Sequence, residues 1–241
     1  MLELMKTTFA LSASTLILAL LPSLAADPVV VFDGTNLDEW EVKQKKKGEN
    51  RWVVGQPKVE GDSKRFTVAD EGDGAGRAMI NKVDGHGQSW DIYSKKKFGS
   101  CRIEVEFMVA KGANSGVYVM GEYEVQILDS YGKEKMGNGD MGAIYGAKPA
   151  RSNPCKKHGE WQKYVIDFRA PKFDKDGKKI ANAEFIKIEL NGKVVQEGIE
   201  MPGPTPSGVS GKEAAEGPVM FQGDHGPVAF RNVKVTPMEF E

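Results

Sequence analysis

The chain has 241 residues, 33 of them Lys or Arg and 34 Asp or Glu, and its net charge of −1 provides no global field to select nucleic acid or an anionic membrane surface. Two cysteines, Cys101 and Cys155, permit one disulfide if the protein is exported, but the sequence does not place them within bonding distance. The three histidines, His86, His158 and His225, lie at no metal-ligand spacing, so no zinc motif is present.

In chain order, Met1 to Lys6 carries one Lys and Ala10 to Leu21 is an apolar run. Ser23-Leu24-Ala25 then supplies the small residues a signal peptidase reads, which predicts cleavage after Ala25 and an exported mature domain over residues 26 to 241. The run is too short, and too interrupted by Ser12, Ser14 and Thr15, for a membrane span, and no cysteine follows it to carry a lipid. The expected destination is the periplasm or the outside.

Beyond residue 28 the apolar segments are short, alternate with period two and end at Gly, Pro, Asn or Asp, which is the strand pattern. Cys101 to Val109 is the clearest: Cys101, Ile103, Val105, Phe107 and Val109 form an apolar row opposite Arg102, Glu104 and Glu106. Ser115 to Met120, Tyr123 to Leu128, Trp161 to Phe168, Phe185 to Leu190, Val219 to Phe221 and Val228 to Val235 continue the series, and Asn191-Gly192 predicts a two-residue hairpin turn. The Lys-rich runs 45 to 47 and 95 to 97 read as solvated loop or edge charges. Many antiparallel strands and few helices predict an all-β protein, a single two-sheet sandwich or jelly roll. Gly72 to Gly87, Gly132 to His158 and Met201 to Gly217 become long rim loops; loops beyond about 12 to 15 residues in a compact domain are usually functional or disordered.

In the strand beginning at Tyr123, the residues Tyr123, Val125 and Ile127 share one side and Glu124 and Gln126 the other. The second side is either wet or faces something that needs a carboxylate and an amide.

Several segments in order carry a resemblance: Phe32-Asp-Gly-Thr-Asn-Leu-Asp-Glu-Trp40, Ala113-Asn-Ser-Gly-Val-Tyr118, Tyr123-Glu-Val-Gln-Ile-Leu-Asp129, Gly142-Ala-Ile-Tyr145, Gly159-Glu-Trp161, Leu190-Asn-Gly192, Gly217 to Gly226 and Phe230-Arg-Asn-Val233. This set is similar to that of the 3-keto-disaccharide hydrolase domain family, formerly a domain of unknown function, over about residues 30 to 236. The resemblance implies a concanavalin A-like β-sandwich with a concave, sugar-facing sheet, and activity on glycosides oxidised to a ketone at C3.

An ordinary glycosidase needs two carboxyl groups separated by roughly 5 to 9.5 Å. Glycosidases of a related sandwich architecture carry Glu-x-Asp-x-x-Glu on one strand, and here Glu124, Gln126 and Asp129 keep that spacing with an amide in the middle. Strict alternation turns Asp129 away from the other two unless the strand bulges near Ile127 or Leu128. A 3-keto sugar needs less, because its ketone acidifies the C2 hydrogen. One base removes that hydrogen, the enolate expels the C1 substituent, and water adds back across the double bond.

The motifs supply Glu124, Asp129 and His225 as ionisable groups, with the base assigned to His225 or Glu124. Gln126, Asn114, Gln222 and Arg231 are donors, and Tyr118, Tyr145 and Trp161 aromatic candidates. Plainer roles stand beside these: Asp129 as a turn former, Arg231 as a clamp on a carboxylate, Tyr118 as sheet core. No cofactor is expected, with a divalent cation held by Glu124, Asp129 and loop carbonyls as the alternative. The expected partner is a 3-keto carbohydrate, not nucleic acid or membrane; the alternative function is a lectin-like module without turnover.

Overall fold

The computed structural model describes residues 26–240. The predicted signal peptide lies outside the described residues.

Sixteen strands and no helix make up the described chain: β1 (Val29–Phe32), β2 (Trp40–Lys43), β3 (Trp52–Lys58), β4 (Thr67–Ala69), β5 (Ala78–Asn81), β6 (Asp91–Phe98), β7 (Cys101–Val109), β8 (Asn114–Val119), β9 (Tyr123–Leu128), β10 (Gln162–Arg169), β11 (Lys172–Phe173), β12 (Lys179–Ala181), β13 (Ala183–Leu190), β14 (Lys193–Met201), β15 (Gly217–Phe221) and β16 (Val228–Pro237). They form a nine-stranded sheet in the order β14-β13-β10-β7-β16-β5-β3-β4 with β1 also on β16, a five-stranded sheet in the order β2-β6-β15-β8-β9, and the small ribbon β11-β12. Every pairing between these strands is antiparallel. The protein is thus an all-β, two-sheet sandwich, as the strand pattern predicts, of the concanavalin A-like jelly-roll type that the resemblance implies.

The alternation that defines the strands also builds the core. Cys101, Ile103, Val105, Phe107 and Val109 of β7 are all buried, and Tyr123, Val125 and Ile127 of β9 meet the same cluster from the opposite sheet. Between the sheets, Trp40 stacks on Phe221 at 5.2 Å and Phe221 on Phe230 at 3.8 Å. Each aromatic ring buried this way contributes about 1.5 to 3 kcal/mol from removal of apolar surface. Asn191 and Gly192, with φ of 52° and 78°, close the β13–β14 hairpin because both accept the left-handed region. Cys101 and Cys155 are separate, buried thiols, so the single disulfide that export would permit does not form.

One irregular segment prepares the site. β9 is the last strand of its sheet, and residues 142–145 run antiparallel along its free edge, which blunts an edge that would otherwise recruit other strands. Gln126 N donates to Ala143 O at 2.9 Å, Gly142 N to Gln126 O at 3.0 Å, and Tyr145 N to Glu124 O at 3.1 Å. Gln196 of β14 holds this segment by donating from Nε2 to Gly142 O at 3.1 Å. The second side of β9 is therefore not wet: Glu124 and Gln126 are each only 2% exposed.

Candidate active site

Seven of the nine site residues expected from the sequence meet at one place. Asn114, Tyr118, Glu124, Gln126, Tyr145, Gln222 and His225, together with Ser207, line a hollow of about 60 Å³ on the outer face of the five-stranded sheet. The rim connections contribute, although Gly72 to Gly87 is not the single loop expected, because Ala78–Asn81 within it is buried and pairs as β5 in the nine-stranded sheet. The first supplies His86 beside His225, the second Tyr145, and the third Ser207 and the buried Thr205.

Glu124 is the carboxylate that lines the hollow itself. Tyr118 of the neighbouring strand lies in register with it, and its hydroxyl donates to Glu124 Oε2 at 2.8 Å. Thr205 Oγ1 accepts from Glu124 N at 2.9 Å and ties the third loop to this strand. The carboxylate also lies across Gly116, where an added Cβ would meet Glu124 Oε1 at 2.2 Å. Only glycine leaves that space. Burial pushes Glu124 up to about 7, against the bond from Tyr118 and the nearby His225, both of which favour the charged form. The Tyr118 hydroxyl also lies 3.2 Å from Pro206 O. With one proton and two acceptors, it can serve the carboxylate when Glu124 is ionised and the carbonyl when Glu124 is protonated.

Beside Glu124, the Gln126 amide donates from Nε2 to Asn114 Oδ1 at 2.7 Å, while its Oε1 is buried without a partner. An orphaned acceptor in a polar hollow costs about 1 to 3 kcal/mol until a ligand hydroxyl or amide reaches it.

His225 enters from the β15–β16 connection. Its Nδ1 donates to Asp224 Oδ1 at 2.5 Å, so Nε2 is the nitrogen left for a ligand. Asp224 Oδ2 is paired with Lys45 Nζ at 2.6 Å, and Lys45 in turn with Asp91 Oδ2 at 2.8 Å. Asp91 is buried and accepts from Gly223 N at 2.9 Å, which anchors the chain of charges to the loop that carries the histidine. Although burial works to raise it, the bonds from His225 and Lys45 hold Asp224 far below the usual carboxylate range. Its hydrogen bond raises His225 above the ordinary imidazole value against the effect of burial. The His86 ring stands edge-on to His225 at 4.4 Å.

Asp224, Lys45, Asp91, Gly116 and His86 are absent from the sequence-based set. Asp224 was within reach, since it precedes His225 directly in a motif already singled out. Lys45, expected to be a solvated charge, is instead held between two carboxylates, and nothing local in its lysine run distinguishes it. Gly116 becomes visible only once β8 and β9 are in register.

Two expected residues lie elsewhere. β8 and β9 pair without a bulge from Asn114 opposite Leu128 to Val119 opposite Tyr123, so alternation carries Asp129 away from the hollow. Asp129 Oδ2 accepts from Gly112 N at 2.9 Å and lies 3.4 Å from His158 Nδ1. The three-residue face of Glu124, Gln126 and Asp129 that a bulge would have assembled is therefore not formed, and Asp129 does not share the hollow with Glu124. Among the described residues no three His, Cys, Asp or Glu side chains converge as metal ligands. Arg231 alternates with the buried Phe230 on β16 and so points out of the nine-stranded sheet, where it clamps Glu106 at 2.8 Å and lies 4.0 Å over the Trp161 ring. Both Arg231 and Trp161 stand on the outer face of that sheet, away from the hollow.

Fold and hollow together define a β-sandwich protein with a polar hollow that holds a buried carboxylate and a carboxylate-braced imidazole on the open face of the smaller sheet. The chain belongs to the 3-keto-alpha-glucoside-1,2-lyase-like domain family, whose profile matches residues 27–236. It is 26% identical over 171 residues to a 3-keto-disaccharide hydrolase of Bacteroides thetaiotaomicron, a match covering 61% of this chain. The chain spans about half the length of that curated relative, 54%. A Parabacteroides distasonis structure provisionally described as a glycosyl hydrolase superposes with a TM-score of 0.63 at 28% identity, covering 88% of this chain and 84% of that one. A second structure from the same organism, with the same provisional description, gives 0.54 at 22% identity over 88% and 100%, a likeness of fold.

Proposed function

We propose that the protein cleaves 3-keto-glycosides by removing the C2 proton and eliminating the C1 substituent, with water then adding to give net hydrolysis. The observation that carries this reading is the pair in the hollow: Glu124, raised by burial to about 7, facing His225, kept protonated to higher pH by Asp224. A carboxyl raised to about 7 and an imidazole raised above its ordinary value in one polar hollow suit a base and an acid. The family and its named relative supply the substrate class.

In this route Glu124 takes the hydrogen from C2, and the electron pair left behind forms the C2–C3 double bond of the enolate; as the C3 carbonyl re-forms, that pair shifts to C1–C2. The bond from C1 to the leaving oxygen breaks, and that oxygen acquires a proton. His225, presenting Nε2–H, donates to the developing charge at the C3 oxygen or to the departing oxygen. Gln126, Asn114 and Gln222 position the sugar through its hydroxyls. Hydration reverses the sense: water oxygen bonds to C1 and a proton returns to C2, giving the 3-keto sugar. The hollow, at about 60 Å³, holds the reacting edge of one ring and leaves the leaving group outside. That geometry suits a site tolerant of varied aglycones.

The test is conversion of a chromogenic 3-keto-glucoside by the purified protein. Release of the chromophore, reduced by about 10² to 10⁴ in Glu124→Gln, supports the assignment; an inert wild-type protein overturns it. We also propose, from the N-terminal sequence, that the chain is exported; its recovery in the cytoplasm with residues 1–25 intact would contradict this.

A further inference from the structure

The outer face of the five-stranded sheet carries more than the hollow. The third rim loop crosses it and is fastened there from below: Lys43 Nζ donates to Gly208 O at 2.6 Å and to Ser207 O at 2.8 Å, and Thr205 N donates to Glu122 O at 2.9 Å. Glu122 closes the far side, accepting from Ser210 N at 2.7 Å and Gly211 N at 2.9 Å. The loop is therefore a fixed ridge. Ser207 faces the hollow on one side of it, while Val209 and Ser210 face a second and larger cavity of about 540 Å³ on the other.

The lining of this second cavity is mixed. Tyr93, Lys95 and Lys97 of β6 line it from one side, and Lys212 stands on the ridge side. Met120, Val209 and Pro218 add apolar surface. Of its carboxylates, Glu41 accepts from Tyr93 at 2.9 Å, Glu122 is capped by backbone amides, and Glu213 accepts from Tyr123 and Lys179, each at 2.6 Å. Three lysines and four glutamates leave no dominant sign of charge, so neither a polyanion nor a polycation is selected. What remains is a cleft of ligand size with apolar patches, an aromatic wall and a dense set of charged donors and acceptors. Lys95 and Lys212 hydrogen-bond through their backbone, to Glu39 O and Ser210 Oγ, while the ammonium groups of Lys95, Lys97 and Lys212 take part in none of the ion pairs or hydrogen bonds made among the described residues. These features suit a neutral, polyhydroxylated chain: hydroxyls bond to ammonium and carboxylate alike, and the sugar's C–H faces cover apolar surface.

We propose that this cleft is a distal saccharide-binding site for a neutral oligosaccharide of two or three units, separate from the hollow that holds the reacting ring. It rests on the reading of the protein as sugar-active, and binding can be measured without turnover. Cellotriose, laminaritriose and maltotriose, none of them oxidised, are titrated into ¹⁵N-labelled Glu124→Gln protein and followed by amide shifts. The expected result is saturable binding of at least one trisaccharide, with shifts at Tyr93, Lys95 and Lys212 and weakening of about tenfold in Tyr93→Ala. Lys212→Ala, on an exposed loop, provides a second variant if the first fails to fold. Binding that shifts only Gln126, Gln222 and His225, or no binding of any of the three at millimolar concentration, overturns the proposal. The two readings separate cleanly: trisaccharide binding by a wild-type protein that leaves a 3-keto-glucoside intact supports the cleft and sinks the reaction. Conversion without trisaccharide binding does the opposite.

Discussion

Replacing Gly116 by alanine changes no titratable group, yet it acts directly on the proposed base. The added Cβ would meet Glu124 Oε1 at 2.2 Å, Cγ at 2.8 Å and Cδ at 2.9 Å, whereas ordinary contact begins near 3.4 Å. The obstacle is a side chain rather than backbone, so the sheet can survive while the carboxylate retreats by about 1 Å or turns to a strained rotamer at about 0.5 to 1.5 kcal/mol. Retreat also lengthens the bond from Tyr118, now 2.8 Å, worth about 1.5 to 3 kcal/mol for a charged acceptor. A displacement of that size at a reacting group costs about 10²-fold in rate. Thermal melting and steady-state kinetics on a 3-keto-glucoside read the two effects apart. Gly116→Ala should fold, melt a few degrees lower and lose about 10² in kcat with a smaller change in KM. A folded variant with wild-type kcat would show that the position of Glu124 does not matter, and with it the assignment of the base would fall.

The remaining predictions follow from the charges around the hollow. Glu124→Gln should stabilise the protein at pH 8 while lowering activity by the same factor of about 10² to 10⁴: a carboxyl raised from 4.5 to about 7 on folding binds more protons folded than unfolded, so its contribution falls as pH rises from 4.5 through 7, by about 3 kcal/mol in all; melting curves of both proteins at pH 5 and pH 8 check this, and should nearly coincide at the lower pH. With Glu124 ionised and His225 protonated in the active form, kcat/KM should be bell-shaped, its apparent values belonging to the coupled pair. Asp224→Asn removes the bond that raises His225, so the alkaline limb should move to lower pH. Tyr118→Phe removes a bond that favours the Glu124 carboxylate, so the acidic limb should move to higher pH; an unshifted profile in either variant contradicts the corresponding role.

The fold was legible because its signal is periodic: the alternation in β7 and β9 and the Asn191-Gly192 turn each determine local structure without help from distant residues. The hollow was legible where residues alternate outward on a strand already recognised, as with Glu124 and Gln126, or sit in a short motif, as with His225. It was less so where position depends on pairing between elements remote in the chain. The bulge that would have gathered Asp129 is absent because β8 and β9 keep register to Leu128, and no local feature of Ile127 or Leu128 announces this. Arg231 follows Phe230, and the inward burial of Phe230 dictates that the arginine points outward; the direction was derivable, but which sheet it joined was not. Lys45 gains its role only when β6 and the β15–β16 connection bring Asp91 and Asp224 to it.

The most direct test of the central claim is exchange at C2. The protein is incubated with a 3-keto-glucoside in deuterated water, and the recovered sugar is examined by proton NMR. Deuterium at C2 of the product, and a slowed reaction when the substrate is deuterated at C2, both lost in Glu124→Gln, are the results predicted. Hydrolysis that retains the original hydrogen at C2, with no isotope effect there, would mean that the bond breaks without deprotonation and that the carboxylate raised to about 7 serves some other purpose.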